Sequence, residues 1–124
     1  MRIHLAAAAL ALASATSTQA ASGPDHYALR TAGDLARVCA AAASDSDANT
    51  ASALCHGFLA GAYGYFLAVT PAADRFVCPP EPAPSRAKVG ADFAAWLKTR
   101  PQLASGNAVD VLFRYAAEAY PCKR

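Results

Sequence analysis

The sequence predicts a small all-α domain, four helices in an up-down arrangement stapled by two disulfides. Three observations carry that expectation. Apolar residues recur at helical spacing in four stretches, each with its own start and stop signals. No alternating strand pattern of useful length occurs, and no internal repeat is visible. Four cysteines stand in a chain whose first residues read as an export signal.

That signal comes first in the chain. Arg2 supplies positive charge, "LAAAALALA" (Leu5–Ala13) is an apolar core too short to span a bilayer, and "SATSTQA" is a small polar tail. Thr18-Gln19-Ala20 fits a cleavage site, so residues 1–20 are expected to be removed (or 1–21, if cutting follows Ala21). Residues 21–124 then form one exported domain. No cysteine follows the apolar core, which argues against a lipid-anchored start. A chain of this length buries a modest core and often needs covalent help. Cys39, Cys55, Cys78 and Cys122 all lie beyond the cut, in an oxidising compartment, where disulfides are the expected use. Metal ligation fits poorly, because there is no Cys-x-x-Cys pair and only His26 and His56 remain.

Thr31 with Asp34 three residues on marks the start of the first helix, with Leu35, Val38, Cys39 and Ala42 following at i, i+3, i+4, i+7. The polar loop "SDSDANTAS" ends in potential caps for a second helix, from about Thr50 to Val69, closed by Thr70-Pro71. "CPPEPAPS" (Cys78–Ser85) cannot be helical and reads as a stiff, extended connector. Ser85 can cap a third helix with Val89, Phe93, Trp96 and Leu97 on one face and Lys88, Asp92 and Lys98 on the other, ended by Pro101. After the loop "RPQLASGN", the last helix runs from Asn107 or Ala108 to about Tyr120. It is expected to bury Val111, Leu112, Tyr115, Ala116 and Ala119, with Asp110, Arg114 and Glu118 outside as two i, i+4 pairs.

The second helix is the oddest. Ala53, Gly57, Gly61, Gly64 and Ala68 share a narrow stripe, and the adjoining arc is apolar, which marks this helix as the central, most buried one. Three interior glycines cost on the order of 3 kcal/mol relative to alanine. Close approach of another backbone along Gly57, Gly61 and Gly64 would explain that cost. A membrane span is the rival use of such spacing, weakened by the length of the run, its Ala and Gly content, and His56.

Little here suggests catalysis. Cys55 and His56 are adjacent on a helix and point about 100° apart, and a disulfide-bonded sulfur is no nucleophile. Asp45, Asp47 and Asn49 start a calcium-loop pattern that fails at Thr50 and His56. No Ser/His/Asp or metal-hydrolase spacing occurs, so no catalytic residue, cofactor or metal is expected. Beyond the signal, ten Lys and Arg face nine Asp and Glu without any basic run, which argues against a nucleic-acid partner.

Taken in order, Thr31-x3-Leu35-x3-Cys39, Cys55-x-Gly57-Phe58-x2-Gly61, Cys78-Pro79, Val89…Trp96-Leu97-x3-Pro101 and Ala108…Ala119-Tyr120-Pro121-Cys122 resemble the Rap/Tai family. Its characterised members are periplasmic immunity proteins against type VI secretion amidase effectors. Gly64 and the long proline run depart from the family's pattern. The resemblance implies a small helical domain, often a homodimer, that plugs the cleft of a peptidoglycan-cutting amidase in the periplasm. On the residues themselves no enzyme activity is expected, and no membrane insertion after signal cleavage. The rivals are a periplasmic stress chaperone, for which 16% charged residues is a sparse supply, and an envelope protein-binding module.

In an up-down arrangement the end of the first helix meets the start of the second, and the second and fourth helices end at the other pole. This predicts Cys39–Cys55 and Cys78–Cys122 bridges. The partner-binding residues are expected in the loop before the fourth helix: Arg100, Gln102, Ser105, Gly106 and Asn107, hydrogen-bonding groups on a flexible tip free of the core.

Overall fold

Capping chemistry sets the starts of three of the four helices in the computed structural model, which describes residues 27–123 except Ala42. The expected signal segment, residues 1–20, lies outside the described residues, as does Ala42. Helix α1 is Ala32–Cys39. The Thr31 N–H donates to Asp34 Oδ2 at 3.0 Å and the Asp34 N–H donates to Thr31 Oγ1 at 3.1 Å, a reciprocal capping box. Helix α2 is Ala48–Val69. It begins two residues earlier than expected and without a side-chain cap, because Asp47 Oδ2 accepts from the Tyr27 hydroxyl at 2.8 Å. Helix α3 is Arg86–Lys98, capped by Ser85, and α4 is Ala108–Ala119, capped by Asn107. Two short 3-10 turns, Ala72–Asp74 and Pro101–Leu103, lie between the helices. Among the described residues there is no strand, only two isolated antiparallel bridges, Thr31 with Asn107 and Val77 with Pro121.

Both disulfides form as expected, Cys39–Cys55 and Cys78–Cys122. They close loops with sequence separations of 16 and 44 residues. By loop entropy those bridges stabilise the fold by about 3 and about 4 kcal/mol. The second lies where the Cys78 N–H donates to the Tyr120 carbonyl at 2.8 Å, holding the chain end beside the connector.

The centre of the molecule is not α2. Helix α1 packs against α2, α3 and α4, and its Ala32, Leu35 and Val38 are buried with Phe93, Leu97, Val111, Leu112 and Tyr115. Helix length explains the correction. Twenty-two residues of α2 span roughly 33 Å, whereas the eight of α1 span only about 12 Å. Buried Ala51, Cys55 and Leu59 all fall between the fourth and twelfth residues of α2, and Phe66 alone is buried beyond them. The second half is tied down from outside the bundle: Arg75 donates from Nε to the Thr70 carbonyl and from Nη2 to the Leu67 carbonyl, each at 3.3 Å, serving the carbonyls left open at the helix end.

The glycine stripe corrects in the same direction. Gly57, Gly61 and Gly64 are exposed, as are Ala53 and Ala68, and a Cβ added at any of the three glycines meets nothing within 4 Å. Among the described residues no backbone approaches there. The close approach is at Gly90 of α3, buried against the first disulfide, where an added Cβ would lie 2.7 Å from Cys55 Sγ and 3.2 Å from Cys39 Sγ.

Two smaller expectations also change. Ala119 is exposed, because α4 turns it away from the core. Glu118 pairs across to α3 instead of along α4 to Arg114. The Thr31–Asn107 bridge, with Ala32 N–H donating to the Gly106 carbonyl and Ala108 N–H to the Arg30 carbonyl, sets the starts of α1 and α4 side by side. Strict up-down alternation therefore does not extend to that pair. Just before these bonds Leu29 is held in the left-handed region, φ 45°, a conformation a leucine keeps only when its neighbours fix it.

Candidate functional site

The loop expected to bind a partner divides into fixed and free residues. Arg100 stacks on Trp96, its guanidinium carbon 4.4 Å from the ring centroid, and donates to Glu118 Oε2 at 3.1 Å. The Trp96 indole N–H donates to the same carboxylate oxygen at 2.8 Å. Asn107 is the cap of α4, its Oδ1 accepting from the Val109 and Asp110 N–H groups at 2.9 and 3.3 Å. Gly106 is close-packed, since an added Cβ would lie 2.9 Å from Val111 Cγ2. Arg100, Gly106 and Asn107 therefore hold the loop to the body and are not free of the core. Gln102 and Ser105 are the exposed pair.

A different surface stands out by its chemistry. Among the described residues, Tyr65, Val69, Phe76 and Val109 are the exposed large hydrophobic residues, at 70%, 55%, 49% and 41% of full accessibility. All four line one groove between the second half of α2, the segment after it, and α4. Its floor is aromatic. Phe66 sits 5.1 Å from Phe76 and 5.1 Å from Phe113 between ring centroids, with the Phe76 and Phe113 rings 6.1 Å apart. Asp110 and Arg114 border the groove, one charge of each sign. A contiguous apolar patch with a polar border is the surface chemistry of protein recognition.

The origin of this groove follows from the fold. Helix α1 is too short to cover the second half of α2, so Tyr65 and Val69 stay exposed. Phe76 arrives from the chain after the Ala72–Asp74 turn and meets the Phe66 ring edge to face, which closes one side. The only pattern in the sequence that hinted at it was the apolar character of α2 nearly all round. That exceeded what a domain of this size could cover.

His56 is half-buried, and Cys55 is buried in its disulfide, so this pair supplies no thiol. Among the described residues, no group of three His, Cys, Asp or Glu side chains could hold a metal ion. Among the same residues α2 is the one helix long and apolar enough to cross a membrane, with 17% of its most apolar stretch buried. It is joined to α1 by the Cys39–Cys55 disulfide and buries Ala51, Cys55 and Leu59 in the bundle.

Comparison with known families gives a match to the family described as Rap1a immunity proteins, over residues 31–122. No curated protein and no solved structure matches the chain. The matched span runs from the cap of α1 to the second cysteine of the second disulfide, and so takes in both bridges and the whole apolar groove.

Proposed function

Since the chain belongs to the Rap1a immunity protein family, we propose that it is a periplasmic immunity protein that captures an effector enzyme and occludes it. The effector class in this proposal is a peptidoglycan amidase delivered by type VI secretion. The protein acts by occupancy: it needs no nucleophile, metal or cofactor, only a surface that fits.

The observation that carries the choice of surface is the convergence of Tyr65, Val69, Phe76 and Val109 on one groove. Full burial of a large apolar side chain is worth about 1.5–3 kcal/mol, so covering four residues that are already part-buried yields on the order of 3–6 kcal/mol. Association costs take up much of that, and the aromatic anchors Tyr65 and Phe76 are the residue types that dominate such interfaces. The exposed Gly57, Gly61 and Gly64 stripe supports a second contact, with another copy of the chain, since small residues allow helices to approach closely. Exposure of Gln102 and Ser105 keeps the loop before α4 as the second reading for effector contact.

The test uses the amidase encoded beside this protein's own reading frame. Wild-type protein should bind it and stop its peptide-bond cleavage. Tyr65→Ala with Val69→Ala, both exposed helical positions, should weaken binding by tenfold or more, about 1.4 kcal/mol, without lowering the melting temperature. Gln102→Ala with Ser105→Ala should leave binding unchanged. Loss of binding in the loop pair alone would move the interface to the loop, and failure of the wild type to bind would remove the amidase assignment.

A further inference from the structure

A second apolar feature lies next to the groove and differs from it in kind. It is a partly enclosed cavity of about 360 Å³ between α2, α4 and the proline-rich connector. Leu59, Tyr63, Val77, Pro84, Leu112 and Tyr120 supply much of its wall. The volume falls within the range of small-molecule sites, about 300–1,000 Å³. Its walls are built before any ligand arrives. Val77 pairs with Pro121, Cys78 is bonded to Cys122, and the prolines of the connector have fixed backbone angles. A preformed cavity spares a ligand the cost of ordering it.

One charged side chain lines this cavity, Arg86. Its neighbour on the helix, Lys88, is satisfied by Asp92 at 2.7 Å. Arg86 has no hydrogen bond or ion pair with any described residue. It also stands in the first turn of α3, which holds no acidic residue, so its charge opposes the positive end of the helix dipole. The fold gains nothing electrostatically from a cation there. An anion at the rim would answer both the guanidinium and the helix end.

We propose that the cavity binds a single-chain aliphatic anion, with its hydrocarbon body among Leu59, Val77 and Leu112 and a carboxylate on Arg86. A carboxylate suits the site because one planar guanidinium satisfies it with two parallel hydrogen bonds. The aliphatic side chains and prolines of the wall offer an acyl chain dispersion contacts and nothing to hydrogen-bond within the cavity body. This site adjoins the groove proposed for effector capture, with Phe113 between them, and neither proposal depends on the other.

Titration of the disulfide-bonded protein with octanoate, followed by amide and methyl chemical shifts, tests it. Saturable shifts should appear at Leu59, Val77 and Leu112. Octyltrimethylammonium, of equal chain length and opposite charge, should produce none, and acetate, which lacks the chain, should produce none. Arg86→Ala should weaken octanoate about tenfold while leaving the melting temperature unchanged. Gly64→Leu should block binding, because Gly64 lines the cavity and an added Cβ there meets no atom within 4 Å, which leaves the rest of the side chain to fill the cavity. Equal binding of the cationic and anionic chains, or an Arg86→Ala variant that binds as the wild type does, would overturn the assignment of the head group. Absence of shifts at the lining residues would overturn the site.

Discussion

Replacing glycine by alanine at two helical positions should move stability in opposite directions, and the structure fixes which is which. Gly61 of α2 is exposed, and its added Cβ meets nothing within 4 Å. Gly61→Ala should therefore show the bare helix-propensity gain, about 0.5–1 kcal/mol. For a domain of this size that raises the melting temperature by roughly 2–8 °C. At Gly90 the same methyl would lie 2.7 Å from Cys55 Sγ and 3.2 Å from Cys39 Cβ. These atoms belong to a disulfide anchored on two helices, which cannot swing aside as a free side chain does. Overpacking costs about 1–3 kcal/mol, and the helix gain offsets about 1 kcal/mol of it. A net loss of up to about 2 kcal/mol follows for Gly90→Ala, a gap of about 1–3 kcal/mol between the variants. Thermal melts under non-reducing conditions, at a protein concentration where sedimentation shows a monomer, read the gap directly. A Gly90→Ala variant as stable as Gly61→Ala would refute the packing argument. A Gly61→Ala monomer that melts below the wild type would show the stripe to be buried after all.

Two further outcomes follow from local chemistry. Asn107→Ala should cost about 1 kcal/mol, the loss of a helix cap serving two N–H groups, whereas Gln102→Ala should be neutral; urea melts of the two variants distinguish them. Hydrogen bonds from Thr31, the backbone N–H first, hold the Asp34 carboxyl below its ordinary value, with Arg37 contributing less. The sign follows: its contribution is complete above the ordinary carboxylate pKa of about 3.9 and is lost as pH falls through the lower folded value. Between about pH 4 and pH 2, wild-type protein should lose more stability than Asp34→Asn, by about 0.3–1 kcal/mol, the worth of a charge in the first turn of α1; equal acid titrations for the two would contradict it.

What was legible in the sequence was what local chemistry determines. Thr31 with Asp34, Ser85, and the Thr70-Pro71 and Pro101 stops define helix ends by short-range hydrogen bonds and missing donors, and those elements stand where the residues put them. The disulfides followed because the order of helix ends brings the cysteines together. The rank of the helices was not legible in the same way. Periodicity shows which face of a helix is apolar, but burial depends on the lengths of its neighbours. Eight residues of α1 take the centre and leave half of α2 uncovered, and no pattern within α2 encodes that.

The same distinction separates the loop from the groove. Polar residues in a loop look available, yet Arg100 is spent on Trp96 and Glu118, and Asn107 on two backbone N–H groups. Apolar residues at helical spacing look like core, yet Tyr65, Val69 and Val109 lie in the open. A domain this small has too little interior to hold all the apolar residues that its sequence carries, and the surplus must surface somewhere. Here it is not scattered: Tyr65 and Val69 on α2, Phe76 after it, and Val109 on α4 meet over one aromatic floor. Scattered exposed hydrophobic residues need no explanation, but convergence from three segments of chain onto one groove costs solubility and gains nothing for the isolated monomer. A partner that covers the groove resolves that imbalance, and an immunity protein is a chain whose purpose is to be covered.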